Sequence, residues 1–212
     1  MLSVTHLSAG YGNAPVARLT DLTVDSGEAA LLLGPSGSGK TTLLLALAGM
    51  AKRFDGEVRI DGIDPGALSS AEADRFRGQN IGVVFQDLHL IAGLSTLDNV
   101  LLAPYAAATR QDRQRARALL GQLGLGGKMA ARAETLSRGQ AQRASIARAM
   151  LLRPKLILAD EPTASLDDAA AGQVGALLLD AARETGAALV IATHDQRLKA
   201  LIGKTVVAEA LV

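Results

Sequence analysis

The sequence predicts an α/β fold, with a mostly parallel core sheet and a helical insertion. Three observations predict it. Ala29–Leu33, Ile81–Phe85, Leu156–Ala159 and Leu189–Ala192 are short, unbroken apolar runs, the pattern of strands buried on both faces of a parallel sheet. Helix-like stretches, Thr41–Met50 and Ala169–Glu184, follow the first and third of them. Between the second and third lies a long stretch of good helix formers, rich in Ala, Leu, Arg and Gln. It places a helical insertion at residues 87–154.

The elements follow in order. Leu2–Leu7 and Leu19–Val24 alternate and read as strands, with turn chemistry at Ala9-Gly10-Tyr11-Gly12. Ala29–Leu33 is a buried strand ending at Gly34, and Thr41–Met50 is the helix after it. Gly56–Ile60 followed by Asp61-Gly62 reads as a hairpin strand and its turn. Leu94–Leu125 is expected to be mostly helical, broken near Pro104. Gln140–Leu152 is a further helix, stopped by Arg153-Pro154.

Composition narrows the function classes. The chain has 212 residues, 49% of them apolar, which suits one compact domain or one domain with a subdomain inserted. Aromatics are 2% and the net charge is +1, so neither base stacking nor a basic nucleic-acid or membrane face is favoured. Without cysteine there is no thiolate zinc site and no disulfide scaffold. Met1–Gly12 lacks a basic segment followed by an apolar stretch, and no run reaches the roughly 20 apolar residues of a membrane span. A soluble, cytosolic protein is expected.

Gly34-Pro35-Ser36-Gly37-Ser38-Gly39-Lys40-Thr41, followed by Thr42, matches G-x-x-x-x-G-K-[ST] between a buried strand and a helix. Glycines let the backbone curl so that N–H groups converge on phosphate oxygens, and the helix adds its positive end. Lys40 brings a charge to the β- and γ-phosphates, and the Thr41 hydroxyl is a hard oxygen ligand for Mg²⁺. The motif implies a nucleotide phosphate and leaves kinases, GTPases and ATPases open. Leu156–Ala159 then ends in Asp160-Glu161. Asp160 lies where ligands bind in such sheets and can hold Mg²⁺. Glu161 can orient and polarise an attacking water. A solvated acidic pair at a strand end is the plain alternative.

Leu136-Ser137-Arg138-Gly139-Gln140, with Gln142–Ala149 after it, resembles the signature of the ABC family, usually written LSGGQ. With Pro162-Thr163-Ala164-Ser165-Leu166-Asp167 downstream, the resemblance covers the whole chain. It implies a P-loop ABC cassette with an antiparallel β subdomain. The core would be residues 1–86 and 155–212, and the helical subdomain with the signature 87–154. It implies that Ser137, Gly139 and Gln140 meet the γ-phosphate of ATP held by a second copy, and that Tyr11 stacks on adenine. It implies that Gln86, near Mg²⁺ and the water, and His194, at the γ-phosphate, belong to the catalytic set with Lys40 and Glu161. It implies that Asp167 crosses between subunits. Ser137 and Asp167 also suit plain helix caps. Arg138 stands where the family usually has glycine, which would matter if that residue needed a positive φ.

The resemblance further implies an ATPase using ATP and Mg²⁺, working as a head-to-tail pair of copies and driving a separate integral membrane permease. The chain would lie on the inner face of the cell membrane through that permease. The apolar stretch Gln86–Val100 would form the groove receiving it. This stretch most resembles cassettes of the lipoprotein-releasing and macrolide-exporter group. Other classes remain: a soluble ABC ATPase acting on nucleic acid or ribosomes, a P-loop kinase, or a non-catalytic binding module. Near-zero charge and a single cassette speak against the first, the signature against the second, and full occupancy of the catalytic positions against the third.

Overall fold

The computed structural model describes residues 1–164 and 166–211. Two sheets organise it. The core sheet is wholly parallel, in the order β6-β7-β8-β4-β9, with β4 Ala29–Leu33, β6 Ile81–Val84, β7 Leu156–Asp160, β8 Ala188–Thr193 and β9 Thr205–Val207. Every residue of β7 and β8 is buried, as expected for strands covered on both faces. Successive side chains alternate between two cores. Leu31, Leu33, Ile157, Ala159, Leu189 and Ile191 enter one, while Ala30, Leu32, Leu156, Leu158, Val190 and Ala192 enter the other.

The second sheet is antiparallel and built on the long strand β1, Leu2–Tyr11. One edge of β1 carries β5, Lys52–Ile60; the other carries β3, Leu22–Val24, and β2, Ala14–Leu19, end to end. β10, Glu209–Ala210, closes on β2. This sheet and α1, Lys40–Leu47, supply the second core. Helices α3 Thr96–Val100, α4 Leu102–Ala106, α5 Arg113–Gln122, α6 Arg138–Met150 and α7 Asp168–Thr185 lie beyond the other face.

Several expectations need correction. β1 runs on through Ala9-Gly10-Tyr11, and the turn falls at Gly12-Asn13, because strand pairing reaches Tyr11–Ala14. Leu19–Val24 is not one strand; Leu19 ends β2, and β3 starts at Leu22. Pro104 sits third in α4, where a helix has no partner for the missing N–H, so the break comes after Ala106. α6 begins at Arg138 and ends at Met150. α2, Ser70–Asn80, has no buried residue and hence no apolar period to announce it. Its signal was the capping box Ser69/Glu72.

Register gathers the site. In the core sheet Leu33 pairs with Thr193, and Asp160 with Ala192. The C-terminal ends of β4, β7 and β8 therefore lie side by side, and the phosphate loop, Asp160-Glu161 and His194 all leave the sheet at one edge. Val84 pairs with Ala159, so Gln86 emerges from the same edge beyond β7.

Candidate active site

The loop 34–39 is shaped by contacts that exclude side chains. Gly39 has φ +80°, and a Cβ there would lie 2.3 Å from the Ala17 Cβ. A Cβ on Gly34 would lie 2.4 Å from the Ser38 hydroxyl. No side chain caps α1, which leaves its first N–H groups for an anion. Lys40, first in that helix, is buried and folds back over the loop. Its Nζ donates to the carbonyls of Gly34 and Pro35 at 2.9 and 3.0 Å and pairs with Glu161 Oε1 at 3.3 Å.

The Thr41 hydroxyl donates to Asp160 Oδ2 at 2.8 Å. Asp160 is 6% exposed, and its Oδ1 is buried without a hydrogen-bond partner among the described residues. Burial raises its pKa above the ordinary aspartate value, and the Glu161 charge adds to this. The Thr41 bond and the Lys40 charge oppose the rise without cancelling it. An orphaned hard oxygen beside a threonine hydroxyl and a phosphate loop fits a hard divalent cation.

Glu161 has φ +43°, an uncommon conformation for a residue with a side chain. Its N–H donates to the Ala192 carbonyl at 2.8 Å, extending the β7–β8 ladder. The twist does not send the side chain away from the phosphate loop; it turns it back. Oε1 meets Lys40 and His194 Nδ1, the latter at 2.9 Å, and Oε2 accepts from the Thr193 hydroxyl at 3.1 Å. Burial alone would raise the Glu161 pKa. The bonds from His194 and Thr193, with the His194 and Lys40 charges, outweigh burial and hold the pKa below the usual range.

The structure thus joins Lys40, Thr41, Asp160, Glu161 and His194, which the sequence singles out, and adds Thr193, which it did not. The signal for Thr193 was a lone hydroxyl closing an apolar strand. Among the described residues, no hydrogen bond ties Gln86, Tyr11 or the Ser137–Gln140 turn to this cluster. Gln86 is exposed two residues past the end of β6. Tyr11 is 55% exposed at the end of β1.

A sequence model described as "ABC transporter" matches residues 18–164. The chain belongs to the ABC transporter family. It is an ATP-binding, ATP-hydrolysing subunit of such a transporter, with the α/β cassette fold. The lipoprotein-releasing system ATP-binding protein LolD of Anaeromyxobacter dehalogenans is 45% identical over 193 residues, 90% of this chain and 81% of that protein. The macrolide export ATP-binding/permease protein MacB of Rhodopirellula baltica is 40% identical over 88% of this chain and 28% of that protein. The dimeric post-hydrolysis cassette MJ0796, bound to ADP and Pi, superposes with a TM-score of 0.83 at 31% identity, over 99% of this chain and 94% of that one.

In this ABC cassette the signature turn is a capping box. The Ser137 hydroxyl accepts from the Gln140 N–H at 3.3 Å, and the Gln140 side chain accepts from the Ser137 N–H at 3.0 Å. Asp167 likewise caps α7, accepting from Ala170 N at 2.8 Å. Ser165, in the same segment, lies outside the described residues. Arg138 is helical and not among the residues with positive φ, so its backbone does not require glycine. It is exposed and forms no ion pair among the described residues. A cation in a helix's first turn opposes the macrodipole. Arg138→Ala is therefore expected to raise the melting temperature by about 1–3 °C, measured by thermal unfolding.

Proposed function

We propose that this chain energises a membrane permease of the lipoprotein-releasing or efflux type, as a head-to-tail pair of copies closed by Mg-ATP. The likeness to LolD and MacB supports the transporter type. The observation that carries the chemistry is the convergence of Lys40, Asp160, Glu161 and His194 on one sheet edge. Thr41 and Asp160 would hold Mg²⁺, with Gln86 nearby. Bound there, the ion would neutralise charge on the phosphates. Residues 34–42, with Lys40 among them, bind the β- and γ-phosphates, and Tyr11 takes the adenine. Glu161 orients water at the γ-phosphorus and accepts its proton as the bond to the bridging oxygen breaks, leaving ADP and phosphate. His194 holds Glu161 and contacts the γ-phosphate. Ser137, Gly139 and Gln140 of a second copy close over the nucleotide, so hydrolysis opens the pair.

Under this reading residues 87–154 act as the helical subdomain and residues 1–86 and 155–212 as the core. A hollow of about 670 Å³ opens between them, lined by Phe85, His89, Leu102, Ala103, Arg148 and Leu152 among others. It supports permease docking, and the cassette would then be peripheral on the inner face of the membrane. Of the stretch Gln86–Val100, His89 lines the hollow, whereas Leu97, Asn99 and Val100 are buried in the fold. No helix among the described residues is long and apolar enough to cross a membrane.

Affinity purification from detergent-solubilised membranes tests the reading. An integral membrane protein is expected to co-purify. Leu102→Asp, which charges the wall of the hollow, should reduce its recovery roughly tenfold while ATP binding persists. Recovery of ribosomes or DNA alone would favour the soluble ABC alternative.

A further inference from the structure

Beyond His194 lies a charged pair that the chemistry above does not use, Asp195 and Arg197. The Asp195 side chain is 11% exposed. Its Oδ1 accepts from the Arg197 backbone N–H at 2.9 Å and from Arg197 Nε at 2.8 Å. Its Oδ2 accepts from Arg197 Nη2 and from the Thr163 hydroxyl, both at 2.7 Å. The remaining fork of Arg197, Nη1, donates to the Leu166 carbonyl at 3.2 Å and to Asp168 Oδ1 at 2.7 Å. Exposed ion pairs contribute little, but here a shielded carboxylate takes several charge-assisted bonds and Arg197 engages on all three nitrogens. The bonds from Arg197, with that from Thr163, hold Asp195 far below the usual aspartate range against the effect of burial.

The pair also reaches Glu161. The Asp195 N–H donates to the Thr193 hydroxyl at 3.0 Å, and that hydroxyl donates to Glu161 Oε2. An unbroken path therefore joins the Glu161 carboxylate to the first turn of α7, 29 residues from Arg197 in sequence. Thr163, which bonds Asp195 beside this path, is fully buried.

We propose that Arg197 is a positioning residue for ATP hydrolysis. Through Asp195 and Thr193 it fixes the Glu161 carboxylate and the His194 turn. Through the Leu166 carbonyl and Asp168 it locks the entry to α7 onto that turn, so that the two move as one piece. The role rests on the reading of Glu161 and His194 above. A second copy pressing on Asp167, the α7 cap, would thereby act on the geometry of Glu161.

Steady-state hydrolysis of Mg-ATP by the full chain tests this, using Arg197→Ala, Arg197→Lys, Asp195→Ala and the double variant Arg197→Ala/Asp195→Ala. Arg197→Ala should lower kcat roughly 10- to 100-fold with KM for ATP within about twofold, since the chemistry is misaligned and nucleotide binding is untouched. Arg197→Lys, which keeps a cation beside Asp195, should recover part of the loss. The double variant should be no slower than Asp195→Ala alone, because both changes break one unit. A brace that serves only stability would lower the melting temperature and leave kcat unchanged well below it. A kcat within twofold of the original chain for Arg197→Ala and Arg197→Lys, or losses that multiply in the double variant, would overturn the proposal. Glu161→Gln in the same assay separates the two claims: a normal rate there removes Glu161 from catalysis, whereas a normal rate for Arg197→Ala removes only the clamp.

Discussion

Glu161→Gln is expected to lower ATP turnover at least 10²-fold and to leave ATP binding intact. General-base contributions run roughly 10²- to 10⁴-fold, and a hundredfold loss corresponds to about 2.7 kcal/mol of barrier. The amide cannot accept the water's proton, yet it fills the same volume and can still accept from the Thr193 hydroxyl, now 3.1 Å away. Lys40 loses its ion pair with Oε1 but keeps the carbonyls of Gly34 and Pro35, so the phosphate loop retains its shape. Binding and turnover therefore separate. Gel filtration with Mg-ATP should show the variant as a persistent dimer, with release of phosphate measured in parallel. Normal turnover would remove Glu161 from its role.

How much of this was legible in the sequence depended on whether the signal was local. β4 matches its expectation residue for residue, because Ala29–Leu33 is an apolar run cut off by the glycine loop. Lys40 and Thr41 were legible from the glycine motif that follows β4, and Asp160 and Glu161 from the carboxylates that end β7, each a local pattern beside its own strand. Their assembly depends on register, Leu33 with Thr193 and Asp160 with Ala192, which no local pattern encodes. The same holds for Thr193 and for the Asp195–Arg197 clamp, whose partners Glu161, Thr163 and Asp168 lie 29 to 32 residues away. The positive φ of Glu161 was hidden for a different reason. It follows from the N–H bond to the Ala192 carbonyl at the neighbouring strand's end, and glutamate carries no preference for that conformation.

Asp160→Asn is expected to lower turnover at least about 10²-fold and at the same time to stabilise the nucleotide-free protein. Folding raises the Asp160 pKa, chiefly through burial, so the folded chain binds this proton more tightly than the unfolded one. Stability from this group is therefore greatest below the ordinary aspartate pKa. It declines as pH rises toward the raised value and stays reduced above it. At neutral pH the buried carboxylate, with Oδ1 unpartnered, is a standing cost. Asparagine removes the charge and can still accept from the Thr41 hydroxyl. Relief of that cost should raise the melting temperature, by roughly 2–4 °C for each kcal/mol gained in a chain of this size. Glu161 and Asp195 have the opposite sign. Their lowered pKa values contribute stability present above the ordinary carboxylate range and lost as pH falls through their folded values. Melting temperatures measured from pH 7 down to pH 4 should then show the Asp160→Asn advantage shrinking with acid, while turnover stays at least 10²-fold down throughout for want of an anionic ligand. An unchanged melting temperature at pH 7 would mean that Asp160 is not held at a cost. A carboxylate held where it weakens the fold is what the proposed cation role of Asp160 requires.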